Sequence, residues 1–173
     1  MFVASPAKSY RKEEIVRDVD IVNLIKRIAP QYGIPEEIVW GVIQKESSGR
    51  PGVHRHEPRY RYLYQPKAVK PKDCTYVTEV SMQRTSIGLM QVMGATYREL
   101  GYTGWLGDIF ADPRLQVEYG CKYLAQKIRK YGLNKGILSY NSGSPKRDPN
   151  NPDQYINQYY LDKVLKLAKG YPG

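Results

Sequence analysis

Residues Ile38-Val39-Trp40-Gly41-Val42-Ile43 form an apolar run whose burial is the strongest demand this sequence makes on its fold. Pro35-Glu36-Glu37 come just before it, a proline suited to a first helical turn and acids suited to the positive end of a helix dipole. Ser48-Gly49 closes it, so the run reads as one helix. Near its end stands Glu46, four residues from Val42 and three from Ile43, and therefore on their face. A carboxyl facing the interior is desolvated, which favours its neutral form, and the negative end of the helix dipole pushes the same way. A carboxyl that keeps its proton near neutral pH suits general-acid chemistry. The competing reading is a Glu turned off the helix end into water, which on this helix alone is the commoner outcome.

Other helices follow from period-3.6 patterning. One runs from Asp18 or Asp20 to about Gln31, with Ile21, Leu24, Ile25 and Ile28 on one face and Gly33 as a stop. Helix is expected again around Leu89–Leu100 and over Pro113–Tyr131, where Val117, Cys121, Leu124 and Ile128 form a stripe. A short helix at Lys135–Tyr140 leads into a polar loop, Asn141–Pro152, and a last helix runs from about Asp153 to Lys169 with Ile156, Tyr160, Val164 and Leu167 inward. Residues 1–17 read as an arm or short helix, and 18–173 as a single domain. Over residues 49–86 prolines and glycines break the pattern; the β-formers of Arg59–Tyr64 and Thr75–Val80 suggest a small hairpin or ribbon. The expected architecture is mainly α, with an irregular or weakly β insertion over 49–86.

The net charge of +10 suits an anionic partner, and nucleic acid, anionic lipid and acidic cell-wall polymers all satisfy it. Tyrosine is over-used, 16 against 2 Phe and 2 Trp, so many tyrosines are expected to line a groove, where a flat face and a hydroxyl serve sugars or bases. No apolar run approaches the roughly 20 residues a membrane-spanning helix needs. Met1–Lys8 lacks the apolar stretch of a secretory signal. His54 and His56 are an i, i+2 pair without further ligands, and Cys74 and Cys121 have neither CxxC nor Cys/His spacing, so no metal is expected. Cys121 reads as a small buried hydrophobe; its pairing with Cys74 stays open.

Three segments occur in order: Glu46-Ser47, Gly88-Leu89-Met90-Gln91 and Ser139-Tyr140-Asn141. Together they resemble the soluble lytic transglycosylase (SLT) family of the lysozyme-like superfamily, whose fold is similar to goose-type lysozyme. The family pattern is Glu-Ser at a helix end, Gly-Leu-Met-Gln at the next helix start and Ala-Tyr-Asn before a loop; Ser139 replaces the usual Ala. Ile34-Pro35, Asp112-Pro113, Gly120 and Tyr123-Leu124 match as well, and the resemblance covers about Ile21 to Leu165. It implies an α+β lysozyme-like fold, with the insertion forming part of a substrate groove. It also implies cleavage of the MurNAc–GlcNAc β-1,4 bond of peptidoglycan glycan strands to a 1,6-anhydroMurNAc product, without metal or organic cofactor. Glu46 is the implied catalytic residue, acting as acid and then as base.

Ser47, Gly88, Met90, Gln91, Tyr140 and Asn141 are the implied substrate-side residues. Gly88 permits close backbone approach or a positive φ. Met90 offers a polarizable wall and Gln91 a donor and an acceptor for N-acetyl groups. Tyr140 is placed to orient the Glu46 carboxyl, Ser47 to bond that carboxyl or a substrate amide, and Asn141 to fix the loop or bond substrate. Two departures stand out. The gap between Glu46-Ser47 and Gly88 is long for the family. Many members also carry a Glu before the Tyr of the last helix, where Ile156 stands if Tyr160 is that Tyr.

Two rival readings remain. A goose-type-like muramidase needs a second carboxylate, roughly 6.5–9.5 Å from the first, to leave room for water. The insertion supplies Glu57, Asp73 and Glu79, of which Glu57, set between Arg55 and Arg59, is the first candidate. A non-catalytic glycan- or nucleic-acid-binding module would suit the basic, Tyr-rich composition, although no recognised nucleic-acid motif is present and a buried Glu46 would go unexplained. A monomer acting in the periplasm or cell wall is expected, as a phage lysis or virion-associated enzyme or as an excised domain. If the basic charge concentrates an anionic wall polymer, lysis of purified cell walls falls steeply as salt rises; a flat salt response would remove charge from the account.

Overall fold

The computed structural model describes residues 18–173, and the arm expected at 1–17 lies outside them. Helix α1 (Asp18–Ile28) runs into a 3-10 turn, Ala29–Tyr32, and stops at Gly33. After Pro35 comes α2 (Glu36–Ser47), ended by Ser48 in the left-handed region. A smaller lobe follows: β1 (His54–His56), α3 (Pro66–Val69), α4 (Tyr76–Gln83), β2 (Thr85–Ile87), β3 (Val92–Met93) and α5 (Gly94–Glu99). A 3-10 stretch, Leu106–Ala111, leads to α6 (Pro113–Tyr131) and α7 (Leu133–Ser142). The hairpin β4 (Arg147–Asp148) and β5 (Asn151–Tyr155) precedes α8 (Gln158–Ala168). The fold is thus mainly helical with two small antiparallel sheets, ordered β1-β2-β3 and β4-β5.

Every residue from Ile38 to Ile43 is buried, so α2 has no solvent face over that stretch and other elements surround it. Ile21 and Ile25 of α1, Val117, Cys121 and Leu124 of α6, Ile137 and Leu138 of α7 and Val164 of α8 join one core with it. Each fully buried aliphatic side chain contributes about 1.5–3 kcal/mol relative to exposure. Helix α6 starts where expected because Asp112 caps it, its carboxylate accepting from the Arg114 and Leu115 amides at 2.9 and 3.2 Å. The cysteines are both buried and unpaired, and burial pushes the Cys121 thiol up to about 12.

Several expected elements fall differently. Thr75–Val80 is not a strand: Thr75 accepts from the Thr78 amide and caps α4. Arg59–Tyr64 is irregular, and the strand of the insertion is β1 instead, paired His54 to Ile87 and His56 to Thr85. The helix expected from Leu89 begins at Gly94, since residues 88–91 form the turn between β2 and β3. The last helix starts only at Gln158, because the β4–β5 hairpin takes up residues 147–155, and Ile156 is consequently 62% exposed.

The long insertion is held by a buried ion pair. Arg98 of α5 donates to both carboxylate oxygens of Glu79 in α4, at 2.8 and 2.9 Å, and both side chains are buried. Its other nitrogen donates to the carbonyls of Tyr102 and Gly104. Gln83 completes the network, donating to Glu79 and to the Tyr64 carbonyl while accepting from the Tyr64 amide. Glu79 is therefore not a free second carboxylate, as the sequence allowed, but part of the scaffold. Burial raises its pKa, yet the bonds from Arg98 and Gln83 outweigh burial and hold it below the ordinary value. A depressed carboxyl contributes stability that is present above its unfolded pKa, about 4.3, and is lost as pH falls through its folded value. Arg98→Met, which strands Glu79 as an unpaired buried charge, is expected to cost about 3–5 kcal/mol at pH 7 by urea unfolding. The double change Arg98→Met with Glu79→Leu should regain most of that loss, and equal instability of the single and double variants would show that the pair is not what holds the lobe.

Candidate active site

Helices α2 and α8 run antiparallel in contact, matching Glu36 with Tyr171, Gly41 with Val164 and Glu46 with Tyr160. Gly41 sets the spacing: a Cβ there would lie 2.5 Å from the Val164 carbonyl oxygen and 3.2 Å from the Ala168 amide. Tyr160 is one helical turn before Val164 and so projects from the same face. At this close crossing its hydroxyl donates to Glu46 Oε1 at 2.6 Å. Lys45 lies 5.4 Å over the Tyr160 ring and also lines the cavity.

Glu46 is half-buried, at the floor of a cavity of about 960 Å³. Burial raises its pKa above the ordinary carboxylate value; the Tyr160 bond and the charges of Lys45 and Arg55 pull the other way without cancelling it. The Tyr160 hydroxyl is pushed well above the ordinary phenol value, first by burial and then by the Glu46 charge and hydrogen bond. It stays protonated and remains a donor. With Oε1 engaged, Oε2 is the oxygen left to carry an exchangeable proton.

The residues of the Gly88–Gln91 turn are bonded mostly to the protein. Gly88 has φ +76°, and a Cβ on it would sit 2.1 Å from Cδ of the buried Gln116, so positive φ and close approach both apply. Gln116 accepts from the Leu89 amide at 2.9 Å and donates to the Ile109 and Pro51 carbonyls. Ser47 is buried and donates to the Leu89 carbonyl at 2.8 Å, with the Ile43 carbonyl at 3.1 Å, so it bonds neither Glu46 nor the cavity. Met90 is no saccharide wall: its side chain is fully buried, packed where Gly120 leaves room for the sulfur. The Tyr140 hydroxyl donates to the Met90 carbonyl at 2.6 Å, which leaves the orienting of Glu46 to Tyr160.

Gln91 lines the cavity with φ +49°, but both donors of its amide are used, on the Val53 and Gly88 carbonyls, and its oxygen accepts from Ser86. Asn141 lines the cavity and is exposed, beside Ser142 and Lys146. Glu57 lines it too and is paired with Arg55 at 2.5 Å. Asp73 is exposed and not in the lining. Of the tyrosines expected to line a groove, Tyr60, Tyr62, Tyr123 and the largely buried Tyr140 do so, whereas Tyr97 and Tyr160 are buried outside the lining. Tyr160 and Gln116 are the orienting and supporting residues that the sequence reading did not identify. A sequence signal did exist for Tyr160: a tyrosine on an otherwise aliphatic face requires a partner for its hydroxyl.

The sequence from residue 23 to residue 160 matches the transglycosylase SLT domain. No solved structure matches the chain. No helix among the described residues is long and apolar enough to cross a membrane.

Replacing Tyr160 by Phe removes a donor that favours the Glu46 carboxylate, so the Glu46 pKa should rise further. If protonated Glu46 is required, the alkaline limb of the pH–rate profile moves upward while kcat falls about tenfold as the carboxyl loses its fixed orientation. An unmoved alkaline limb would show that Tyr160 does not act on Glu46.

Proposed function

The chain belongs to the transglycosylase SLT family, which acts on cell-wall peptidoglycan, and we propose that Glu46 alone carries the acid and base steps of glycan cleavage. One observation carries this reading: Glu46 Oε1 is held by a buried phenol at the cavity floor, while the other acid in the lining, Glu57, is tied to Arg55. The Glu46 proton passes to the oxygen of the MurNAc–GlcNAc β-1,4 bond as the C1–O bond breaks. The sugar passes through an oxocarbenium-like state, assisted by its own N-acetyl group. The Glu46 carboxylate then takes the proton of the C6 hydroxyl, and that oxygen closes on C1 to give the 1,6-anhydro product. Glu46 ends protonated as it began, and no water is consumed.

A raised pKa supports the first step, since the acid form must be populated before cleavage. The positive groups in the lining, Lys45, Arg55 and Lys146, suit the carboxylates of peptide stems and raise the local concentration of an anionic polymer. Asn141 is the substrate-side residue with the freest access. Gly88, Met90, Gln91, Tyr140 and Ser47 serve substrate through the shape of the turn and wall they build.

A second reading rests on Glu57, which shares the cavity and would serve as the base of a hydrolase if released from Arg55. Mass spectrometry of products from purified walls separates the two. Anhydro ends that persist in Glu57→Gln, with loss of about 10²–10⁴-fold in rate in Glu46→Gln, are expected. Exclusively reducing-end products would overturn the single-carboxylate mechanism.

A further inference from the structure

Four tyrosines among the cavity-lining residues form a track that leads away from Glu46. Tyr140 and Glu46 line the same cavity. Its ring is 5.1 Å from that of Tyr123. Tyr123 and Tyr60 line the same cavity. The Tyr60 and Tyr62 rings are 5.7 Å apart at 71°. Exposure rises along the track, from 7% at Tyr140 to 82% at Tyr62.

Tyr62 is exposed but its frame is not loose. The Tyr60 carbonyl accepts from Arg84 and the Tyr64 amide donates to Gln83, which is itself bonded to the buried Glu79–Arg98 pair. Arg84 and Gln83 therefore hold the backbone two residues to either side of Tyr62, at Tyr60 and Tyr64. An exposed aromatic ring on an anchored backbone, at the open end of a groove, presents a flat apolar face on which a sugar ring can stack.

We propose that Tyr62 is a distal saccharide-stacking subsite, taking the apolar face of an aminosugar in the same glycan strand that Glu46 cleaves. The inference rests on the glycan-cleaving reading above. It makes the long insertion a device for holding extended strands: a long glycan reaches both Glu46 and Tyr62, and a short fragment bound at Glu46 does not. Preference for polymer over fragments then resides in the inserted lobe rather than in the floor of the site.

The test uses the full chain with Glu46→Gln, so that binding is read without cleavage, and peptide-free glycan strands as probe in calorimetry, with a disaccharide fragment for comparison. Adding Tyr62→Ala is expected to weaken binding of long strands roughly three- to tenfold, while binding of the fragment holds. Tyr62→Trp in the same background should restore or tighten it. Circular dichroism of both variants should match the parent, since the side chain is 82% exposed. Less than a twofold change with long strands, or equal weakening of strand and fragment, overturns the subsite while leaving the cleavage reading intact. Failure of the Glu46→Gln protein to bind any glycan overturns both.

Discussion

The backbones of α2 and α8 approach so closely at Gly41 that a methyl group there would meet the Val164 carbonyl at 2.5 Å, and the placement of Glu46 against Tyr160 follows from that approach. A larger residue would force the helices apart, at a cost of about 1–3 kcal/mol from overpacking. The same displacement would draw the Tyr160 hydroxyl from the carboxyl it holds at 2.6 Å. A hydrogen bond to an ionised group contributes about 1.5–3 kcal/mol, and here it opposes the burial that raises the Glu46 pKa. The acid is thus poised between burial, which raises its pKa, and the Tyr160 bond with the Lys45 and Arg55 charges, which lower it.

Around that crossing, the recurring sequence segments act as framework. The turn at Gly88–Gln91 is sewn to α2 by Ser47, to α6 by Gln116 and to α7 by Tyr140, each through a backbone atom of the turn. Side chains that satisfy a turn's backbone in the interior are not free to contact substrate, because a buried group left unpaired is destabilising. These bonds explain why the Ser47 and Tyr140 hydroxyls point at the turn rather than at substrate. The insertion follows the same logic, since Arg98, Glu79 and Gln83 hold an otherwise irregular segment in place. The chain belongs to the transglycosylase SLT family, and in this chain Tyr60 and Tyr62 of the lobe line the cavity.

Helices with a clean stripe and a local cap were legible from the chain. Pro113–Tyr131 is one, with Asp112 as cap and Val117, Cys121 and Leu124 fully buried. Glu46 was legible too, because its spacing from Val42 and Ile43 fixes its direction on any helix. Thr75–Val80 was misread because β-forming residues there are overruled by the Thr75 cap and by the reach of Glu79 to Arg98. The start of α8 was placed too early because only the pairing of Arg147 with Tyr155 commits residues 147–155 to a hairpin. Tyr160 and Glu46 are 114 residues apart, and no local pattern joins them.

The sequence by itself determined the helices that carry a clean stripe and a local stop or cap, that α2 must be enclosed, and that an acid sits at its end; periodicity and caps act over a few residues and need no partner. Only the tertiary structure decided which hydroxyl orients that acid: the sequence pointed to Tyr140, but the α2–α8 crossing gives Glu46 to Tyr160 and the turn gives Tyr140 the Met90 carbonyl. It also decided that Glu79 is scaffold and Glu57 groove, because burial and pairing belong to the assembled chain rather than to any segment of it.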